Sequence, residues 1–326
     1  MKRTLNDVYE NLVFKALNPY GKQFMVPRQL PKELNPYLEP YGIRITALIT
    51  FTIFPHIKTV PVVRMMLDDF DKGLYEGKHT IVVPSSGNTA HAVTRIARAF
   101  GFRKTKVVMS TDVSDVKAGI LKALASADVI QVNDVAGTAV EEAQKPGHYL
   151  LDQYSHMGNI RAHETFTGPE VLRVLGSRVA VVAAAMGSGG TAAGIGCFFR
   201  KRYEEGNPET VIIGVRPTLG EQVPGARDSK KMADVVTLPW KDSVDVVFEV
   251  GRKEAFIRMK RLWSAVEPQP GPTSGLAWGG LEKYLVACNQ EGLESLRGKT
   301  VGFICPDDGR FYSERTTGEL DPDQGL

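Results

Sequence analysis

From Val179 to Phe199 the chain runs 21 residues without a charged side chain. That is the length of a membrane-spanning helix, since a hydrocarbon core about 30 Å thick takes roughly 20 residues. The middle of the run, however, reads Gly187-Ser188-Gly189-Gly190-Thr191. Glycines and hydroxyls at the centre break a spanning helix that has no packing partners. A buried strand, a Gly-rich turn and a helix fit better, and no membrane role is expected.

The same alternation recurs on both sides of this run. Thr80–Pro84, Lys106–Met109 and Asp128–Val132 read as apolar strands, with helices expected at Ala90–Phe100 and Val116–Ala125. Further on, strands are expected at Arg178–Ala185, Thr210–Arg216 and Thr300–Cys305. Helices are expected at Ala192–Tyr203, Lys253–Val266 and Leu276–Asn289. Upstream, Ile43–Phe54 reads as a strand or strand pair and Pro61–Lys72 as a helix. Residues 1–40 carry five prolines and read as a short helix near Asp7–Leu17 followed by an irregular segment. Strand–helix alternation signals a parallel sheet with crossover helices, so the class is α/β. A length of 326 residues suggests two such arrays.

Charge narrows the function. Forty basic and 37 acidic residues leave a net charge of +3, with no long run of one sign. A nucleic-acid partner is not expected, because such modules concentrate positive charge. The three cysteines, Cys197, Cys288 and Cys305, form no CxxC pair, so no metal site is expected. The first residues lack an apolar stretch of signal-peptide type, and a reduced, cytoplasmic setting is expected.

Two turns are chemically suggestive. Glycines let backbone N–H groups approach an anion, and a following helix presents its positive end. Gly187–Thr191 lies in that context, yet a tight turn without ligand is equally compatible. GxGxxG and GxxxxGK[ST] loops are absent, which disfavours a dinucleotide or ATP and leaves a cradle for one phosphate. Ser85-Ser86-Gly87-Asn88-Thr89 also follows a strand and offers hydroxyls, an amide and N–H groups. It suits a carboxylate or phosphate, but also simple helix capping.

Together these residues resemble the pyridoxal-phosphate (PLP) enzymes of the cysteine synthase and tryptophan synthase β type. Lys58 stands 30 residues before Asn88, the family's spacing between its Schiff-base lysine and the Ser/Thr-Ser-Gly-Asn-Thr loop. Gly187–Thr191 is similar to the family's GTGGT phosphate loop. Gln153-Tyr154 and His163–Glu170 resemble its Gln-Phe and HxxTTGPE segments, and Gly271–Gly275 the loop that meets the cofactor's ring nitrogen. The matches keep the family's order from about residue 45 to 312. The surroundings of the lysine depart from it: Pro55-His56-Ile57-Lys58-Thr59-Val60 replaces Ser-x-Lys-Asp-Arg.

The resemblance implies two doubly wound βα domains with PLP in the cleft between them. A smaller, mobile, substrate-gripping domain is placed at 46–158, a larger phosphate-binding domain at 1–45 plus 159–315, and a flexible tail at 316–326. It implies Lys58 as the catalytic and cofactor-bearing residue. Asn88, Gly187, Ser188, Gly189, Gly190, Thr191 and Thr273 complete the cofactor site, Thr273 by a hydroxyl at the ring nitrogen. Ser85, Ser86, Gly87, Thr89 and Gln153 fall to the substrate carboxylate. Gly220–Arg227 resembles a segment of archaeal O-phosphoserine sulfhydrylases, so Arg227 is a substrate-phosphate ligand or a surface arginine. Gly194, Gly225, Gly271 and Gly275 also lie in or beside these turns.

The expected reaction is β-elimination and β-replacement on O-acetyl- or O-phospho-L-serine, a small amino-acid substrate, with sulfide as default nucleophile. An amine giving a diaminopropionate-type product, a dehydratase-like lyase and a non-catalytic relative are the alternatives. Thr89 stands where the dehydratases carry His, and the lost Ser, Asp and Arg near Lys58 are the support for the last. A homodimer is expected. His163 reads as structural, Asp307 and Asp308 as a turn or a cofactor contact, and Cys305 as buried and inert.

Overall fold

Ten strands gather into two separate sheets among the described residues. They are β1 (Val26–Gln29), β2 (Arg44–Ile49), β3 (Thr80–Pro84), β4 (Lys104–Ser110), β5 (Ala127–Val132), β6 (His148–Leu150), β7 (Val179–Ala185), β8 (Val211–Pro217), β9 (Val246–Val250) and β10 (Thr300–Cys305). The computed structural model describes residues 3–85, 87–111, 115–124 and 126–312. Ser86, Ala125 and the tail at 316–326 therefore lie outside the described residues.

The chain divides by contacts into two units: Met1–Tyr20 with Lys58–Asn159, and Gly21–Ile57 with Ile160–Leu326. The boundaries run differently from those expected at 46–158 and 1–45 plus 159–315. Residues up to Tyr20 join the first unit, where Phe14 meets Phe100 edge to face at 5.5 Å. Residues 46–57 join the second, because β2 lies inside its sheet, paired on both sides.

The first unit holds a parallel sheet in the order β5-β4-β3-β6. Val82 and Val108 pack with Ala139 from the helix Val135–Gln144. That helix and β6 were absent from the sequence expectation. A three-residue strand is too short to show a period. At the carboxyl end of β3 the chain turns through Ser85 and Gly87 into the helix Asn88–Ile96, which starts two residues before the expected Ala90.

The second unit holds six strands in the order β1-β2-β10-β7-β8-β9, with only β1 and β2 antiparallel. β1 contains Pro27 and was expected to be irregular. It is an edge strand, where a missing N–H costs nothing if it faces away from the ladder. The expected strand at Ile43–Phe54 is limited to β2. β7 and β10 are central and wholly apolar or nearly so, as buried parallel strands must be. The uncharged run resolves into β7, a turn and the helix Gly190–Glu204. Among the described residues no helix is long and apolar enough to cross a membrane.

The helix Pro272–Ala287 is buried along most of its length. A Cβ on Gly275 would stand 2.0 Å from the Ala255 carbonyl oxygen, and one on Gly280 2.2 Å from Val215 Cγ2. Gly194 is similar: its Cβ would meet the Ile160 carbonyl oxygen at 2.4 Å. Gly275 and Gly194, expected beside anion-gripping turns, thus serve close packing of elements.

Candidate active site

In the second unit three segments converge. β7 delivers the chain into Met186–Gly189 and then the helix Gly190–Glu204. Gly189, the N-cap, has φ of +79°, a left-handed conformation that favours glycine, and the Gly190 N–H donates to Ser188 Oγ at 3.4 Å. The first N–H groups of a helix lack intrahelical acceptors, and their positive end suits an anion. A Cβ on Gly187 would stand 2.6 Å from the Gly225 carbonyl oxygen, so the two loops meet backbone to backbone. The Arg227 N–H donates to the Met186 carbonyl at 3.0 Å. Arg227 itself is half-buried, and Asp228 beside it caps the next helix by accepting from the Lys231 N–H. Three N–H donors, Lys231 first, hold the Asp228 carboxyl below the usual carboxylate range.

Thr273 forms the third side. Its Cγ2 would lie 3.2 Å from a Cβ on Gly225. It is 3% exposed, and among the described residues its Oγ1 has no hydrogen-bond partner. Buried hydroxyls without partners are rare in folded chains, so this oxygen is suited to an acceptor or donor brought by a ligand. The helix it opens is anchored where the Gly271 N–H donates to the Asp307 carbonyl at 2.9 Å. Tyr312 donates its hydroxyl to the Asp307 carboxylate at 2.5 Å.

The buried His56 forms a β-bridge with Asp307, and the Ile57 N–H donates to the Pro306 carbonyl at 2.8 Å. The segment before Lys58 is therefore fixed on the loop after β10. Asp307 is thus a structural anchor for both segments, a role sequence reasoning left open between a turn and a cofactor contact.

His163 was expected to be structural, through a cap or a carbonyl contact. It is fully buried, with Nδ1 2.8 Å from Thr167 Oγ1 and Nε2 3.1 Å from Thr191 Oγ1. It touches the Gly-rich loop itself, 28 residues away in sequence. No spacing pattern carries that signal. Burial pushes the Cys305 thiol up to about 12, which fits its inert reading.

In the first unit Lys58 is half-buried at the start of the helix Thr59–Asp71, which packs against Asn88–Ile96. The Ser85 N–H donates to the Val83 and Val108 carbonyls, which sets the turn leading to Gly87 and Asn88. Thr89 donates to Gln153 Oε1 at 2.7 Å, and both are buried. Asn159, absent from the sequence expectation, donates to the Gln153 carbonyl at 2.8 Å and holds that loop. So this unit brings Thr89 and Gln153 together, and the other brings together Gly187–Thr191, Arg227 and Thr273. Among the described residues no group of His, Cys, Asp and Glu is arranged to hold a metal ion.

Cysteine synthase B of Escherichia coli is 27% identical over 277 residues, 82% of this chain and 86% of that one. An O-ureido-L-serine synthase structure superposes with a TM-score of 0.79 at 18% identity, covering 97% of each chain. The O-acetylserine dependent cystathionine β-synthase of Helicobacter pylori gives 0.74 at 24% identity, covering 91% of this chain and 96% of the other. These structures show the same fold.

The residues present fit PLP. Its phosphate suits the loop before Gly190–Glu204, and its ring nitrogen suits a buried hydroxyl lacking a partner. Residues 57–307 match the family described as pyridoxal-phosphate dependent enzyme, which places this chain in that family.

Proposed function

We propose that the protein catalyses β-elimination and β-replacement on an activated L-serine, O-acetyl- or O-phospho-L-serine, with sulfide as nucleophile. When bound, PLP withdraws electrons from the amino acid's Cα and so acidifies its proton. Lys58 holds the cofactor and moves the proton at Cα. Gly187, Ser188, Gly189, Gly190 and Thr191 would hold the phosphate, and Asn88 would help hold the cofactor. Thr273 would offer the ring nitrogen a hydroxyl, which supplies no formal charge. A restrained electron sink favours loss and replacement at Cβ over transamination. Ser85, Ser86, Gly87, Thr89 and Gln153 orient the carboxylate and thereby select the bond that reacts.

The single observation that carries this reading is the buried Thr273 hydroxyl, without a partner among the described residues, beside the Gly187–Gly225 contact. The names of the relatives, cysteine synthase and an O-acetylserine dependent enzyme, support an activated serine. The Arg227 loop favours O-phosphoserine, because its backbone is tied to Met186 beside the phosphate loop. An Arg227 guanidinium turned to the substrate would form a bidentate pair with a second phosphate.

The test offers O-acetylserine and O-phosphoserine, each with sulfide, thiosulfate and amines, and measures product formation. Turnover of O-phosphoserine, lost in Arg227→Ala while O-acetylserine turnover persists, supports the phosphate role. Equal use of O-acetylserine by both proteins with no O-phosphoserine turnover assigns acetate as the leaving group. The reading includes a homodimer in solution, checked by light scattering.

A further inference from the structure

We infer that His163 is a positioning residue whose imidazole turns the Thr191 hydroxyl proton toward the cofactor phosphate. This rests on the reading of Gly187–Thr191 as the phosphate loop.

The geometry leaves two arrangements. A neutral imidazole has one N–H donor and one acceptor nitrogen. If Nδ1 carries the proton, it donates to Thr167, and Nε2 accepts the proton of Thr191. The Thr191 oxygen then faces the loop with lone pairs only, which repel a phosphate. If Nε2 carries the proton, Thr167 donates to Nδ1 and Nε2–H donates to Thr191 Oγ1. The Thr191 proton is then released for an anionic oxygen. A phosphate accepts hydrogen bonds, so its presence selects the second arrangement. Thr167 is fully buried, and its hydroxyl supplies the proton that holds Nδ1 as acceptor.

The backbone fixes these distances. His163–Thr167 forms a single π-helical turn, closed by the Gly168 N–H donating to the His163 carbonyl. Such turns are uncommon and often sit at functional sites. The turn sets the His163 and Thr167 side chains 2.8 Å apart. It lies hard against the helix Gly190–Glu204, since a Cβ on Gly194 would stand 2.5 Å from His163 Cβ and 2.8 Å from the Glu164 nitrogen. Thr191 is one turn before Gly194 on that helix. The imidazole is clamped between two threonines, one of which belongs to the loop.

The test uses Thr167, because substitution of a fully buried imidazole risks the fold. Thr167→Val keeps the side-chain shape and removes the hydroxyl. Thr167→Ser keeps the hydroxyl and removes a methyl. Dissociation constants for PLP are measured on the full-length apoproteins by fluorescence titration, with the 31P signal of the bound cofactor as a second readout. One hydrogen bond to a charged group corresponds to about a ten- to hundredfold change. Thr167→Val is expected to weaken PLP by about that factor and shift the 31P signal, while Thr167→Ser binds like wild type. Thr167→Val combined with Thr191→Val is expected to bind no more weakly than Thr191→Val alone. Wild-type affinity in Thr167→Val, equal losses in both Thr167 variants, or additive losses in the double variant would each overturn the role of His163. Failure of the wild-type apoprotein to bind PLP would instead overturn the phosphate-loop reading beneath it.

Discussion

The Thr89 hydroxyl donates to Gln153 Oε1 at 2.7 Å across 64 residues of sequence. That bond engages the amide's oxygen, while its NH2 donates one hydrogen to Tyr154 Oη at 3.4 Å and keeps the second as the one suited to a carboxylate. Thr89→Val leaves Gln153 Oε1 buried without this donor and frees the amide to rotate. The KM for the amino acid is expected to rise about tenfold or more, consistent with one hydrogen bond to a charged group. The PLP dissociation constant is expected to stay unchanged. Steady-state kinetics and a cofactor titration on the same variant check both.

Gly187 admits no side chain. A Cβ there would press on the Gly225 carbonyl, a backbone atom that has no rotamer to escape into. Gly187→Ala is expected to cost about 1–3 kcal/mol of stability, the usual cost of overpacking, and to lose PLP binding. Thermal melting of the apoprotein and PLP titration measure the two effects separately.

Thr273 gives a prediction of opposite sign for stability and function. Its buried hydroxyl lacks a partner among the described residues. Leaving such a group unsatisfied costs about 1–3 kcal/mol. Thr273→Val keeps the methyl against Gly225 and is expected to raise the melting temperature of the apoprotein. It is expected to lower kcat with PLP bound. Calorimetry and turnover on the same sample decide it.

Burial holds the Cys305 thiol protonated up to about 12. A group whose native value is raised contributes stability that is intact below its ordinary value, 9.0, and is lost as pH rises through about 12. Native Cys305 is expected to resist alkylation at mildly alkaline pH and to react fully once unfolded. Peptide mass mapping after iodoacetamide treatment reads this directly.

Much of this was legible in sequence where the signal is contiguous. Thr300–Cys305 and Thr80–Pro84 are uninterrupted apolar runs bounded by polar residues, and both are strands with those limits. Gly187–Thr191 and Ser85–Thr89 stand out in sequence because each groups its glycines and hydroxyls in five adjacent residues. What stayed hidden is tertiary. β1 is disguised by Pro27, tolerated only because the strand is at an edge. The contact of His163 with Thr191 comes from a π-helical turn lying on another helix, and no spacing rule encodes it. Gly275 was read as lying beside an anion-gripping turn, yet with Gly280 it lets one buried helix approach its neighbours.

The role of Lys58 is open to one decisive measurement: borohydride treatment of the PLP-loaded protein, followed by peptide mapping. The expected result is one cofactor mass on the peptide containing Lys58, with loss of visible absorption and of turnover in Lys58→Ala. Cofactor mass on another lysine instead, or a Lys58→Ala protein that keeps its colour and activity, would contradict it.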